Sequence, residues 1–256
     1  MRLFGLYNDF LIEVQKGNVP GHSMVHKFGR NEVVPNGSWA FVNLLGFTVW
    51  PISSDTPIRI KAGNGLDTST GTGAREITVQ GIDDSFNEVT ETIVTSGTSP
   101  SVVTTTSFWR VHRAWVSAVG TYGGANSSEA VTIENSTGGI DLIQIGAGEG
   151  QTQFGGYTIP INKTGYFMSA QVHVDSKKEA DVRIFTRDDI DDTVAPMKSK
   201  RLKLYFDGMT GSFDYPSAGP EFRINQKSDI WVEANGNGEA NEVSCNFDLL
   251  IVDNNT

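Results

Sequence analysis

"GNGLDTSTGTGAREITVQGIDD", residues 63 to 84, decides how this chain is read. Its first eleven residues hold two Gly-x-Gly pairs, the composition of a phosphate-binding loop. Such a loop sets its glycines after a strand and directly before a helix, whose first turn supplies free N–H groups and positive potential. Here Gly73 is followed by "AREITVQGI", in which Ile77 and Val79 alternate with polar neighbours. That is the period of a strand. The glycines therefore turn the backbone between strands, using φ > 0 conformations that cost glycine little.

Strand patterns extend outward in both directions. "IRIKA", "EVTETIVT", "FWRVHRAWVSAV", "AVTIEN" and "IDLIQI" surround the opening stretch. "GYTIPI", "GYFMSAQVHVD", "ADVRIFT", "RLKLYF", "EFRI", "DIWVEA" and "EVSCNFDLLIV" follow. Alternation places Tyr166, Met168, Ala170, Val172 and Val174 on one side of a strand, with Phe167, Ser169, Gln171 and His173 on the other. Only Asp188–Lys198 has room for a helical turn. Many short strands between turns predict an all-β chain of two β-sandwich or jelly-roll domains.

A second glycine run, Gly146 to Gly156, follows a strand but leads into "QTQFGGYTIP", where a proline and turns replace the helix that a dinucleotide site needs. It reads as a hinge. The expected organisation is an N-terminal segment over residues 1–35, a first domain over 36–150 and a second over 151–256.

The 256 residues carry a net charge of −10. Residues 1–35 hold four basic and three acidic side chains, 36–150 five and eleven, and 151–256 eleven and sixteen. Two acidic bodies exclude electrostatic binding of a nucleic-acid backbone. No run of about 18 apolar residues suggests a membrane span, and Asn8, Asp9 and Glu13 interrupt any signal-peptide core. The single Cys245 excludes an intrachain disulfide and shares a strand face with Val243, Phe247, Leu249 and Ile251, so it reads as a small core residue.

Residues 1–35 mix apolar side chains with Gly17, Pro20, Gly21 and Gly29. They read as an extended arm that docks on a surface through Phe10, Ile12, Val19, Pro20, His22, Met24, His26, Phe28 and Arg30. His22 and His26 have the spacing of two metal ligands on a helix, though Pro20 and Gly21 oppose that helix. Trp109, Arg110, Arg113 and Trp115 form a possible ligand platform for sugars or bases, because aromatic faces stack and guanidinium donates in a fork. Core or subunit contact is the competing reading. Asp188, Asp189, Asp191 and Asp192 are a weak Ca²⁺ candidate: a Ca²⁺ loop of the EF-hand kind wants a glycine at its sixth position and a distal glutamate, where this chain has Thr193 and Ser199. No nucleophile elbow or triad signature occurs, so no catalytic residue and no cofactor are expected.

"GNVPGHSMVHKFGRN" (residues 17–31), "GTGAREITVQGIDDSFNEVTETI" (71–93) and "GYTIPINKTGYFMSAQV" (156–172) resemble a group of virion structural proteins of tailed, often marine, bacteriophages. The resemblance implies a non-enzymatic, β-rich particle component, assembled in the host cytoplasm and resident in the virion. It implies partners among its own copies, as a homotrimer or other symmetric oligomer, and among virion proteins such as the major capsid protein. The resulting expectation is a capsid decoration or cement protein docked through its arm. The alternatives are a tail or baseplate component and a carbohydrate-binding receptor module.

Overall fold

The computed structural model describes residues 10–47, 54–175, 177–215, 220–238 and 241–255. Almost all of its regular structure is β. In chain order the strands are β1 (His22–Val34), β2 (Ala40–Phe41), β3 (Thr56–Ala62), β4 (Ala74–Ile82), β5 (Glu88–Val94), β6 (Ser107–Phe108), β7 (Arg110–Val119), β8 (Val131–Asn135) and β9 (Asp141–Ile145). There follow β10 (Gly156–Thr158), β11 (Lys163–Val174), β12 (Glu179–Arg187), β13 (Arg201–Met209), β14 (Gly211–Tyr215), β15 (Phe222–Ile224), β16 (Asp229–Asn237) and β17 (Asn241–Asp253).

Four antiparallel sheets form two facing pairs. In the first pair β6-β3-β8-β9 faces β5-β4-β7. Ile58, Ile60, Ile77, Val79, Val131, Ile133 and Ile145 fill the space between them. "GTG" lies in the connection from β3 to β4, as expected of a turn. In the second pair β1-β17-β11-β14, with β15 also on β11, faces β10-β16-β12-β13, with β2 also on β16. Val172, Val174, Val182, Ile184, Val232, Val243, Phe247 and Leu249 interdigitate there. Cys245 is buried in this core, and burial pushes its thiol up to about 12.

Two sequence expectations change at β-bulges, where one extra residue reverses the alternation. In β11 the register with β17 shifts between Phe167 and Ser169. Phe167, Ala170, Val172 and Val174 consequently face the core, while Tyr166 and Met168 join a small cluster elsewhere. In β7 the register with β4 shifts where Gln80 pairs with Arg113 and Gly81 with Val111, which leaves His112 as the extra residue.

The N-terminal segment differs more. Its described part opens with a helical turn over 10–15 and continues as β1, paired with β17 of the same chain from His22–Val252 to Val34–Asn241. The turn sets Val14 over Met168 and Leu250 on the outer side of that sheet. The described part of the expected arm is thus an edge strand on its own chain; residues 1–9 lie outside the described residues. Asp188–Lys198 holds turns and bends in place of the expected helical turn. The expected hinge is close-packed at its end: a Cβ on Gly29 would fall inside the backbone of Val42 and Gly155.

Candidate functional site

The expected platform divides in two. Trp109 and Arg110 are buried, Trp115 is half-buried and only Arg113 is exposed. Trp109 packs edge-on to Phe86, with ring centroids 4.7 Å apart, beside Ile82 and Ile190. Arg110 reaches across to β16, where its Nη2 lies 3.3 Å from Asp229 Oδ2. Thr158 Oγ1 on β10 donates to Asp229 Oδ1 at 2.6 Å. Burial still pushes the Asp229 carboxyl upward against the pull of Arg110. This pair links the two sheet pairs and offers no face to a ligand. Arg113 keeps a stacking position, 5.2 Å from the Trp115 ring, with Nη2 donating to Gln151.

The bulge in β7 builds the rest of this seam. It turns His112 inward, 4.6 Å from the Tyr157 ring of β10, and leaves its backbone carbonyl to accept from Lys27 Nζ at 2.5 Å. Lys27, on β1, is buried and lies 5.5 Å from the Phe154 ring centroid. Desolvation, aided by nearby Arg113, lowers its ammonium to about 7. The same burial, with Lys27 and Arg110 near, holds His112 well below the ordinary imidazole range. Tyr157 is displaced upward by burial and by Glu88, whose Oε1 accepts from its hydroxyl at 3.4 Å. Lys27 and the inward role of His112 were not legible, because β1 was not read as a strand and the bulge has no sequence signature here.

The residues assigned to partner docking are distributed over β1 and the turn before it. Phe10 and Ile12 are exposed, Val19 and Met24 flank the Val14 cluster, and Phe28 is half-buried. The Pro20 carbonyl accepts from the ring Nδ1 of His22 at 2.9 Å. Arg30 is held by Glu32, by Glu149 at 3.0 Å and by Glu242 at 3.4 Å. His22 and His26 stand on a strand, and His26 Nδ1 lies 2.7 Å from Asp248 Oδ1. Ser169 Oγ donates to the other oxygen of Asp248 at 2.9 Å. A nucleophilic relay needs the imidazole between hydroxyl and carboxylate; here the carboxylate stands between them, so this trio cannot activate Ser169.

The Asp188–Asp192 carboxylates do not converge. Asp188 accepts from Ser228, Asp189 pairs with Lys198, Asp191 with Lys227 at 2.7 Å, and Asp192 accepts from the Val194 N–H. Among the described residues no group of three or more His, Cys, Asp or Glu side chains is placed to hold a metal. In this arrangement the four carboxylates serve ion pairs and turn caps.

Two further surfaces escaped the sequence reading. On the outer face of β12, β13 and β16, Glu233 accepts from Trp231 Nε1 at 2.8 Å, from Arg183 at 2.6 Å and from Lys200 at 3.0 Å. The Arg183 guanidinium lies 3.5 Å from the Trp39 ring centroid. Burial raises the Glu233 carboxyl, but these donors outweigh it and hold it low. The network is internally satisfied.

The second surface is a loop tip. Fully buried Asp67 accepts through Oδ1 from the N–H groups of Ala74 at 2.8 Å and Ser127 at 2.9 Å, and its carbonyl accepts from Gly97. Asn126 ties in a fourth loop, donating to Gly146 and accepting from Gly150. At the edge of this cluster Leu66 is 53% exposed and Tyr122, between Thr121 and Gly123, is wholly exposed. Apart from Asp67, residues 63–73, 95–98 and 120–128 carry no charge. The composition of "GTYGGANSS" was the available signal.

No family model and no curated protein matches the chain. Among solved structures, one of infectious bursal disease virus Gt strain superposes with a TM-score of 0.24 and 8% identity, covering 91% of this chain and 71% of that one. The crystal structure of the infectious bursal disease virus VP2 subviral particle gives 0.23 and 8%, covering 97% and 78%. Likeness at this level carries no argument about this chain.

Proposed function

We propose that the chain is a non-enzymatic structural component of a virus particle, built as a jelly roll that carries an inserted β-sandwich. The observation behind this reading is the strand order. The order β1-β17-β11-β14 faces β10-β16-β12-β13, so that from β10 onward the chain passes to the other sheet at every step except β12 to β13 and β14 to β15, which supports the two Greek keys of a jelly roll. The insertion falls between β2 and β10, which lie end to end along β16. Jelly rolls serve viral capsids, lectins and enzymes alike. The phage-virion likeness of residues 17–31, 71–93 and 156–172 favours the first of these.

Within the particle we favour surface decoration by a symmetric oligomer, a homotrimer being the simplest, seated on the major capsid protein. β1 is paired with β17 of its own chain. The exposed loop tip is the better contact. Rigid scaffolds present binding residues on loops, and Tyr, Ser, Gly and Asn on preorganised loops suit recognition. The same tip supports a second reading, a receptor module that stacks a sugar on Tyr122.

Gradient-purified particles probed by mass spectrometry, followed by localisation of the chain in a particle density map, test the proposal. Stoichiometric presence on the capsid is expected. Absence from particles would overturn the structural role. Glycan-array binding lost in Tyr122→Ala, together with that absence, would establish the receptor module instead.

A further inference from the structure

The seam between the two sheet pairs buries two basic groups with which no carboxylate of the described residues pairs. From β1 comes Lys27, whose Nζ donates, among the described residues, to the carbonyl of His112 and lies over Phe154. From β7 come Arg110, His112 and Arg113. Arg110 is matched by Asp229 of β16, and Arg113 extends outward to Gln151. His112 Nε2 is buried without a hydrogen-bond partner among the described residues. From β10 comes Tyr157, whose hydroxyl goes to Glu88 of β5, while Glu88 also faces Lys163 at 3.5 Å. Glu149 and Glu242 serve Arg30 at the border of the same seam. Each of these carboxylates is thus committed to a different cation or hydroxyl, and among the described residues none is paired with Lys27 or His112.

We propose that this seam is a proton-loosened clasp: uptake of protons by Lys27 and His112 weakens the contact between the two sheet pairs. Buried charge without a partner is costly, and both groups regain water only if the seam opens. The inference needs no particle role and stands or falls separately from it.

The direction follows from linkage. An open seam returns Lys27 toward its ordinary 10.5, whereas the closed seam holds it at about 7. Between those values the open form binds the extra proton, so opening becomes tenfold more favourable for each pH unit lowered. Below about 7 both forms carry the Lys27 proton and that stage ends. His112, lowered from 6.5, adds a second stage as pH falls below its ordinary value.

Lys27→Met keeps the aliphatic stem and removes the charge, and His112→Gln removes the imidazole. Hydrogen–deuterium exchange of the full chain compares each variant with the wild type at the same pH, so that the intrinsic exchange chemistry cancels. Peptides spanning 108–115 and 152–158 report the seam, and peptides from β12 report the core of the second pair. The expected result is a wild-type to Lys27→Met ratio of seam exchange that grows about tenfold per pH unit from about pH 9 to about pH 7. The ratio to His112→Gln grows only below about pH 6.5. A ratio that ignores pH overturns the clasp. Equal acceleration of β12 peptides also overturns it, because that marks global unfolding.

Discussion

β1 and β17 are both thirteen residues long and lie side by side in one sheet, yet they bury different chemistry. β17 sends Val243, Cys245, Phe247, Leu249 and Ile251 into one apolar core. On the corresponding face β1 carries Val25, Lys27, Gly29 and Asn31, and only Val25 packs against that core. The rest meet backbone at the junction of the two pairs: Lys27 at the His112 carbonyl of β7, Gly29 against Val42 and Gly155 in the segments that leave β2 and enter β10, and Asn31 at the carbonyl of Phe41 in β2 at 3.0 Å. A strand that fills a core obeys alternation. A strand at a seam obeys its neighbour's backbone.

The contrast is broken most severely at Gly29. Its Cβ has no room because the opposing atoms are backbone on two sides, including Val42 whose carbonyl accepts from Gly155 at 3.0 Å. Gly29→Ala should cost more than about 4 kcal/mol, the range of steric insults that side-chain repacking does not absorb. Urea unfolding followed by circular dichroism measures it; a loss below about 1 kcal/mol would mean the seam yields and the close approach is unimportant. Phe247→Ala, on β17, should cost about 3–5 kcal/mol as an ordinary core cavity. If its loss matched that of an exposed site, the sandwich core would be misplaced.

The same contrast explains what was legible. β3, β4, β8, β9, β12, β16 and β17 alternate against apolar cores, and each was visible in the sequence. β1 was not, because Lys27, Gly29 and Asn31 stand where alternation wants apolar side chains. β7 and β11 were visible as strands but not as faces: one extra residue at His112 or Met168 reverses the pattern, and nothing local marks it. Trp109 and Arg110 read as a platform from residue type, which does not reveal that both are buried. β14, "GSFDY", is short, exposed and begins at Gly211 with φ of 72°, so it lacked any period to detect. The loop tip depends on Asp67 meeting Ala74, Gly97 and Ser127, contacts that connect separate loops and cannot be inferred from one stretch.

A smaller effect is expected at Asn31, which sharpens the comparison by removing polar matching without adding bulk. Its amide donates to Phe41 and its carbonyl oxygen accepts from the Val33 N–H at 2.9 Å. Asn31→Ala removes two hydrogen bonds at a buried position, the one to the Phe41 carbonyl, which keeps the Asn43 N–H at 3.0 Å, and the one from the Val33 N–H, a loss of about 1–3 kcal/mol. Comparing its unfolding midpoint with that of Phe247→Ala tests whether the seam is held by matched polar groups or merely by packing. A neutral result would assign the seam to packing alone.

The smallest effect on stability belongs to Tyr122, and that is its value. Its ring is wholly exposed, so folding gains no burial from it, and Tyr122→Ala should change unfolding free energy by no more than about 0.5 kcal/mol. The supporting loops are fixed independently by Asp67 and Asn126, so the backbone at the tip should keep its conformation. An exposed aromatic on preorganised loops is what a hot spot looks like before its partner arrives. The variant should therefore fold as the wild type and lose binding to particles lacking the protein, measured by co-sedimentation. Undiminished binding would move the contact away from the tip. Loss of both folding and binding would show that Tyr122 supports its own chain, contrary to its exposure.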